Sequence, residues 1–184
     1  LGSPYTTMAF PNQPPQDREF LDLRDLPPAA LARWKQGMLS FIKHVTYKKP
    51  DKPLVLKSPP HTARVKTLLE LFPDAYFVHI VRNPASVFPS SVRLWRSLYE
   101  VNGLQVDDGH DVDEYVFDTF NQMYRSFEEE SPLIAPNKFF EVRYEDLVKD
   151  PIGRLRTMYA HFGFENFDAV LPKLQAFQAE KQDY

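Results

Sequence analysis

The sequence predicts an α/β layer fold with a parallel sheet. Two short apolar segments, 54–56 and 76–81, have the composition of buried strands, and the helical pattern of 60–71 separates them. A strand, a helix and a strand within about 30 residues form a βαβ unit, and its right-handed crossover makes the two strands parallel. The 184 residues are 43% apolar and 14% aromatic, which is enough for the chain to bury a core of its own.

Residues 1–26 are rich in Pro, Gln and Asp and predict an extended N-terminal segment without a secure element. The rest of the chain, 27–184, is predicted to form a single α/β domain. Two prolines open its first helix, which runs over about 27–47. The segment 83–99 predicts a second long helix with an Asn cap and a first-turn proline, in which Pro89 predicts a kink or an irregular first turn.

The C-terminal part is predicted to contain a third strand and further helices. An amphipathic pattern predicts a helix over 115–127, and the apolar segment 139–143 predicts the strand. Asp150 precedes a proline and caps a helix that ends near Gly163. A last helical stretch begins at 168 and is predicted to be interrupted by its own proline.

The composition excludes several classes of protein. The chain has no cysteine, which excludes a disulfide scaffold, a thiolate metal site and a cysteine nucleophile. The five histidines lack the spacing of zinc ligands, so we expect no metal. The longest apolar run, 75–81, is too short for a membrane span, and no secretory signal peptide is visible. These observations favour a cytoplasmic protein.

The formal net charge of −3 conceals a basic centre. Residues 57–96 carry six Lys or Arg and two acids, a balance of +4 that leaves −7 for the rest of the chain. A locally basic segment in an acidic protein favours a small anionic ligand over a long polyanion, so we expect no nucleic-acid partner. A solvated, salt-bridged surface is the alternative interpretation of the same charges.

Polar side chains follow each predicted strand. Lys57, Arg82 and Tyr144 come directly after the three segments, and ligands of open parallel sheets gather at the carboxyl ends of the strands. An arginine there offers a planar fork for a phosphate, and the next helix directs its free N–H groups towards the same anion. Ser90 can add a hydroxyl. The alternative is an Arg82 paired with a surface acid and a Ser90 without a ligand.

Four motifs stand in order along the chain. They are Leu56-Lys57-Ser58-Pro59-Pro60-His61, Phe72-Pro73-Asp74-Ala75, Val78-His79-Ile80-Val81-Arg82-Asn83-Pro84 with Ser90, and Val142-Arg143-Tyr144-Glu145-Asp146-Leu147-Val148-Lys149-Asp150-Pro151. Together they resemble the sulfotransferases that use PAPS, 3′-phosphoadenosine 5′-phosphosulfate. The resemblance covers about 30–180 and is nearest to the broad bacterial sulfotransferase-like group, with the tyrosylprotein and cytosolic sulfotransferases as more distant relatives. It implies a P-loop-type three-layer α/β/α fold.

The resemblance also implies roles for individual residues. Arg82 and Ser90 correspond to the pair that binds the 3′-phosphate of PAPS, and Tyr144 corresponds to a tyrosine beside the adenine. Lys57 matches a lysine near the transferred sulfonate, where positive charge is needed as negative charge develops on the bridging oxygen. That chemistry requires no metal.

The general base departs from the pattern of the family. In the cytosolic enzymes a catalytic histidine follows the lysine by two positions, and that position is Pro59 here. His61 lies two residues further on and is the candidate base. A histidine at a helix start or on the surface is the alternative interpretation.

The donor loop is the second departure. The family's Gly/Ser/Thr-rich loop, which grips the 5′-phosphosulfate, precedes the lysine, and nothing in 1–53 resembles it. The six glycines form no phosphate-binding pattern, and the chain does not begin with Met. We therefore expect a fragment that lacks the first strand and the donor loop and is inactive alone.

The sequence thus predicts a sulfotransferase that moves a sulfonate from PAPS to a hydroxyl or amine. The acceptor is a small molecule, a carbohydrate, a lipid or a peptide. One alternative is a P-loop phosphotransferase of the nucleotide-kinase type, which shares the architecture. Another is a non-catalytic module that binds 3′-phosphonucleotides.

Overall fold

The computed structural model describes residues 4–16, 18–48, 50, 52–106, 108 and 111–182. Within these ranges the chain forms an α/β fold, as the sequence predicts. In chain order its elements are α1 Tyr5–Ala9, α2 Pro28–Lys48, α3 Val65–Leu71, β1 Phe77–Val81, α4 Pro84–Asn102, α5 Val112–Glu130, β2 Phe139–Arg143, α6 Tyr144–Lys149, α7 Pro151–Phe162 and α8 Phe167–Gln182. None of the helices in these ranges combines the length and the apolar character that crossing a bilayer requires.

The chain divides into two compact units, and both are discontinuous in sequence. The first unit consists of Leu1–Pro73 and Pro84–Leu133. The second consists of Asp74–Asn83 and Ile134–Tyr184. The two strands therefore belong to the second unit, and the helices α1 to α5 belong to the first.

The second unit contains a two-stranded parallel sheet. β1 pairs with β2 in a register that runs from Phe77 opposite Phe139 to Val81 opposite Arg143. Aromatic side chains pack at the start of β1, where the ring centroid of Tyr76 lies 4.9 Å from that of Phe164 in an edge-on contact. Burial of such rings contributes more to stability than their area alone, because edge-on contacts are favourable.

The predicted strand at 54–56 is wrong. In the described part of the chain this segment joins no sheet, and Val55 is 92% exposed. The parallel partner of β1 is β2, so the predicted βαβ unit over 54–81 is also wrong. A strand forms only where a partner satisfies its backbone groups, and composition alone does not reveal that partner.

The first unit contains a hydrophobic cluster between α4 and α5. Val92 and Tyr99 of α4 are buried against Val112 and Val116 of α5. The side chain of Asp111 caps α5 by accepting hydrogen bonds from the backbone N–H groups of its first turn. The predicted helix over 115–127 is thus confirmed within a longer one.

The N-terminal segment is not extended throughout. Its described part contains α1 and a 3₁₀ turn at Arg18–Phe20, so the prediction of a segment without a secure element is wrong for these residues. Thr7 and Met8 are buried, and the backbone N–H of Leu104 donates to the carbonyl of Ala9 at 2.8 Å. Tertiary packing against α4 thus holds a helix that is too short to be stable alone.

For the remaining helices, the sequence-based predictions are confirmed at the helix ends more often than in the helix interiors. Asp150 accepts from the N–H of Gly153, and α7 ends at Gly163 with a φ of 71°, as expected. The predicted helix over 60–71 is divided into a 3₁₀ turn, Pro59–Ala63, and α3. The predicted interruption of the last helix is wrong, because α8 continues through Pro172.

Candidate functional site

Two of the predicted site residues, Arg82 and Tyr144, lie side by side. Arg82 is the first residue after β1, and Tyr144 is the first after β2. Because Val81 is paired with Arg143, β1 and β2 end at the same edge of the sheet. The guanidinium carbon of Arg82 lies 4.6 Å from the centroid of the Tyr144 ring. This is a cation–π contact at the carboxyl ends of parallel strands, where ligands of such sheets bind.

No described carboxylate forms a hydrogen bond or salt bridge with Arg82, whose side chain is exposed. The nearby acid, Glu145, instead accepts a hydrogen bond from the backbone N–H of Asn83 at 3.2 Å. It also lies 3.9 Å from the Nε atom of Arg143. The arginine therefore stacks on an aromatic ring rather than pairing with a surface acid, and its N–H groups can reach an anion.

The carboxyl group of Glu145 is ionised well below neutral pH. Its own backbone N–H and that of Asn83 lower the pKa by hydrogen bonding, and the charges of Arg143 and Arg82 lower it further. The carboxylate thus ties the chain after β1 to the start of α6. This hydrogen bond joins Asn83, the residue after Arg82, to Glu145, the residue after Tyr144.

The other predicted site residues belong to the first unit. Lys57 is exposed in the segment without regular secondary structure before the 3₁₀ turn Pro59–Ala63, and it follows no strand in the described chain. Ser90 is exposed in α4, directly after Pro89. The expectation that Lys57 follows a strand end is therefore wrong, because 54–56 does not form a strand.

His61 lies in the middle of the 3₁₀ turn and is half-buried. Its backbone N–H donates to the carbonyl of Ser58 at 2.9 Å. Its Nδ1 atom is buried and has no hydrogen-bond partner among the described residues. Burial lowers the pKa of the imidazole, and the charge of Arg64 lowers it further, so the ring is neutral at physiological pH. A neutral imidazole is the form that can accept a proton.

The structure reveals a buried arginine that the sequence did not single out. Arg64 is 8% exposed, and its Nε atom lies 3.1 Å from the carbonyl oxygen of Phe20 and 3.0 Å from that of Leu21. Its guanidinium carbon lies 5.2 Å from the ring centroid of Trp34. Burial lowers the pKa of Arg64 to about 10, and the charge of Asp22 opposes this effect. Since these partners are distant in sequence, no local pattern indicates them.

A second buried group, Glu130, lies at the end of α5. Its Oε1 atom accepts from Nε and Nη2 of Arg24 at 3.2 and 3.1 Å. Its Oε2 atom accepts from the backbone N–H of Lys66 at 2.9 Å, in the first turn of α3. A buried carboxylate that accepts from donors on two other segments fixes the start of α3 relative to α5.

Comparison with known proteins identifies the family. The model of the sulfotransferase family matches residues 9–169, so the chain belongs to the sulfotransferase family. It is 44% identical over all 184 residues to the omega-hydroxy-beta-dihydromenaquinone-9 sulfotransferase Stf3 of Mycobacterium bovis, and equally to that of Mycobacterium tuberculosis. The chain spans about half the length of these curated relatives, 47% in each case. No solved structure gives a significant match to the chain.

The sequence-based identification of the family is therefore confirmed. The structure adds that the described residues contain no cluster of three or more His, Asp or Glu side chains placed to hold a metal ion. Lys57, His61, Arg82, Ser90 and Tyr144 remain the candidate site residues, and their roles are proposals. The buried residue Arg64 supports the turn that carries His61. The buried residue Glu130 supports α3, the helix that follows this turn.

Proposed function

We propose that this protein is a sulfotransferase that moves a sulfonate from PAPS to the hydroxyl group of a lipid acceptor. The observation that carries the proposal is the Arg82–Tyr144 pair at the carboxyl edge of the sheet, in a chain of the sulfotransferase family. We also infer that the sheet is part of a P-loop-type three-layer α/β/α fold. Membership in the family supports that inference.

The chemistry of the pair fits a 3′-phosphoadenosine group. The Arg82 guanidinium provides a planar set of N–H donors for the 3′-phosphate, and the Tyr144 ring holds that guanidinium in place and provides an aromatic surface beside the adenine. The family resemblance assigns Ser90 to the same phosphate. The exposed guanidinium of Arg82, which forms no hydrogen bond or salt bridge with a described carboxylate, supports the assignment of Arg82 to that phosphate.

The transfer step needs a base and a positive charge. His61 takes the proton of the acceptor hydroxyl, and the oxygen forms a new bond to sulfur. The bond between sulfur and the 5′-phosphate oxygen breaks, and its electron pair stays on that phosphate. Lys57 offsets the negative charge that develops on the bridging oxygen. The products are a sulfate ester, adenosine 3′,5′-bisphosphate and a proton on His61.

The acceptor is proposed from the mycobacterial relatives. Their name describes action on an omega-hydroxylated dihydromenaquinone, which is a lipid with a terminal hydroxyl group. Identity of 44% along the whole chain supports a similar acceptor here, namely a hydroxylated isoprenoid quinone-type lipid. An amine, carbohydrate or peptide acceptor is then not expected.

Calorimetry tests the donor site. We expect adenosine 3′,5′-bisphosphate to bind more tightly than ADP or AMP, because only it carries a 3′-phosphate. Arg82→Ala is expected to weaken its binding by roughly 10–100-fold, the loss of a charge-assisted interaction of about 1.5–3 kcal/mol, with little effect on AMP. Arg82→Lys keeps the charge and should show an intermediate loss. A preference for ADP would contradict the proposal and favour a nucleotide kinase.

A further inference from the structure

Arg64 connects three separate parts of the first unit. Its guanidinium forms no salt bridge with a described carboxylate and donates to the backbone carbonyls of Phe20 and Leu21, in the segment before α2. It stacks on Trp34, which is buried within α2. The residue itself lies between the 3₁₀ turn Pro59–Ala63 and α3. A side chain held from two sides in this way fixes the backbone that carries it.

The backbone of Arg64 closes the turn that carries His61. Its N–H donates to the carbonyl oxygen of His61 at 3.1 Å. Only two residues separate the imidazole from the guanidinium in sequence, and the charge of Arg64 acts on the imidazole directly. The position of the imidazole and the charge that it experiences therefore both depend on Arg64.

Other charged groups surround this turn and must be considered with Arg64. Asp22, from the segment before α2, acts on the Arg64 guanidinium. Glu130, from the end of α5, accepts from the N–H of Lys66 and from Arg24. The carboxylate of Glu130 is thus held by its own donors, and the cation that acts on His61 is Arg64.

We propose that Arg64 is a positioning residue for sulfonyl transfer. Its buried guanidinium fixes the turn that carries His61 and so holds the imidazole in place to take the proton of the acceptor hydroxyl. The inference rests on the proposed role of His61 as the general base. Arg64 touches neither donor nor acceptor in this proposal; it acts through His61. None of the four sequence motifs assigns a role in the reaction to Arg64.

Two substitutions separate the charge of Arg64 from its hydrogen bonds. Arg64→Met fills the space beside Trp34 without the charge, so the imidazolium of His61 is no longer opposed by a neighbouring cation. The pKa of His61 then rises towards its ordinary value of 6.5 but stays below it, since burial remains the larger cause of the lowering. Arg64→Lys keeps the charge and loses the planar fork that spans Phe20 and Leu21.

NMR titration of the His61 ring in the whole protein measures the first effect without any substrate. We expect a higher His61 pKa in Arg64→Met and little change in Arg64→Lys. Steady-state kinetics with PAPS, in the protein that also carries the 5′-phosphosulfate loop, measures the second effect. Both variants should lose kcat by roughly 10–100-fold with KM for PAPS within about twofold, because a displaced base lowers the rate of the chemical step. Only Arg64→Met should also move the acidic limb of the pH–rate profile to higher pH.

Arg24→Met is the matched control, since Arg24 is bound to Glu130 in the same unit and, among the described residues, forms no hydrogen bond or salt bridge with His61 or Arg64. It should leave both the His61 pKa and kcat unchanged, although it lowers stability. A His61 pKa that does not move in Arg64→Met, or a wild-type kcat in Arg64→Lys, would overturn the proposal. If Arg64→Met does not fold, the Arg64→Lys kinetics decide. Failure of the proposed base is recognised separately, because His61→Gln would then keep the wild-type pH–rate profile.

Discussion

Arg82 and Tyr144 are the residues that follow the last register pair of the sheet, and the guanidinium of one lies 4.6 Å from the ring centroid of the other. The contact restricts a long, flexible side chain before any ligand binds. Ordering an arginine costs conformational entropy, and a partner that orders it in advance removes part of this cost from the binding step. The pair is therefore a preorganised anion site rather than two independent contacts.

This relationship predicts a specific effect of removing the ring. Tyr144→Ala should weaken the binding of adenosine 3′,5′-bisphosphate by roughly tenfold, because a cation–π contact contributes about 0.5–2 kcal/mol. Tyr144→Phe keeps the ring and should bind within about twofold of the wild type. Isothermal titration calorimetry of the three proteins measures the difference. Equal losses in the Ala and Phe variants would show that the hydroxyl, and not the ring, is what matters.

The buried carboxylate of Glu130 predicts an effect on stability. Glu130→Ala leaves the N–H of Lys66 and the Nε atom of Arg24 without their acceptor, so we expect the free energy of unfolding to fall by about 2 kcal/mol. Glu129→Ala is the matched control, because its side chain is 55% exposed and also pairs with Arg24. Its cost should stay below about 1 kcal/mol. Urea denaturation that gives equal midpoints for the two variants would contradict this interpretation.

The start of α7 predicts a coupling between Asp150 and Gly153. A Cβ atom on Gly153 would collide with Oδ2 of Asp150, whose Oδ1 atom accepts from the Gly153 N–H at 2.9 Å. Gly153→Ala therefore displaces the cap, and this cost of about 1 kcal/mol offsets the similar gain in helix propensity. In the Asp150→Ala background the same substitution should stabilise the protein by about 1 kcal/mol. A double-mutant cycle by thermal denaturation measures this, and strict additivity would refute it.

The lowered pKa of Glu145 predicts a pH dependence. Because the folded-state pKa lies below the ordinary value of 4.5, the carboxylate stabilises the fold above that pH, and the contribution is lost as the pH falls through the lowered pKa. Glu145→Gln should therefore reduce the loss of unfolding free energy between about pH 5 and pH 3.

Carbon-13 NMR of the Glu145 carboxyl group provides the direct measurement. We expect a midpoint below 4.5 in the wild type and most of that lowering in Arg143→Gln, since the backbone N–H donors of Glu145 and Asn83 are the larger causes. A midpoint at or above 4.5 in the wild type would show that these hydrogen bonds do not form in solution.

The sequence predicted those features that have local signals. The strand over 139–143 is confirmed as β2, and Asp150 and Gly163 mark the ends of α7 as expected. Caps and left-handed glycines work through neighbouring residues, so their signals lie within a few positions of their effects. The meeting of Arg82 and Tyr144 also followed from a general rule, because carboxyl ends of parallel strands share an edge.

The features that the sequence missed depend on distant partners. The segment 54–56 has the composition of a strand but is not paired in the described chain. Arg64 was counted only as part of a basic centre, whereas its carbonyl partners lie more than 40 residues away, at Phe20 and Leu21. The continuation of α8 through Pro172 likewise opposes local propensity. Composition describes what a residue can do, and tertiary contacts decide which of those options is realised.

The discontinuous second unit has a consequence for synthesis of the protein. β1 ends at Val81 and its partner begins at Phe139, so 84–133, which belongs to the first unit, is translated between them. At about 5–20 residues per second, the ribosome needs roughly 3–12 s to deliver the second strand. During that interval β1 is an unpaired edge that can pair with other chains. We therefore expect the rate of translation across this stretch to govern how much nascent protein aggregates.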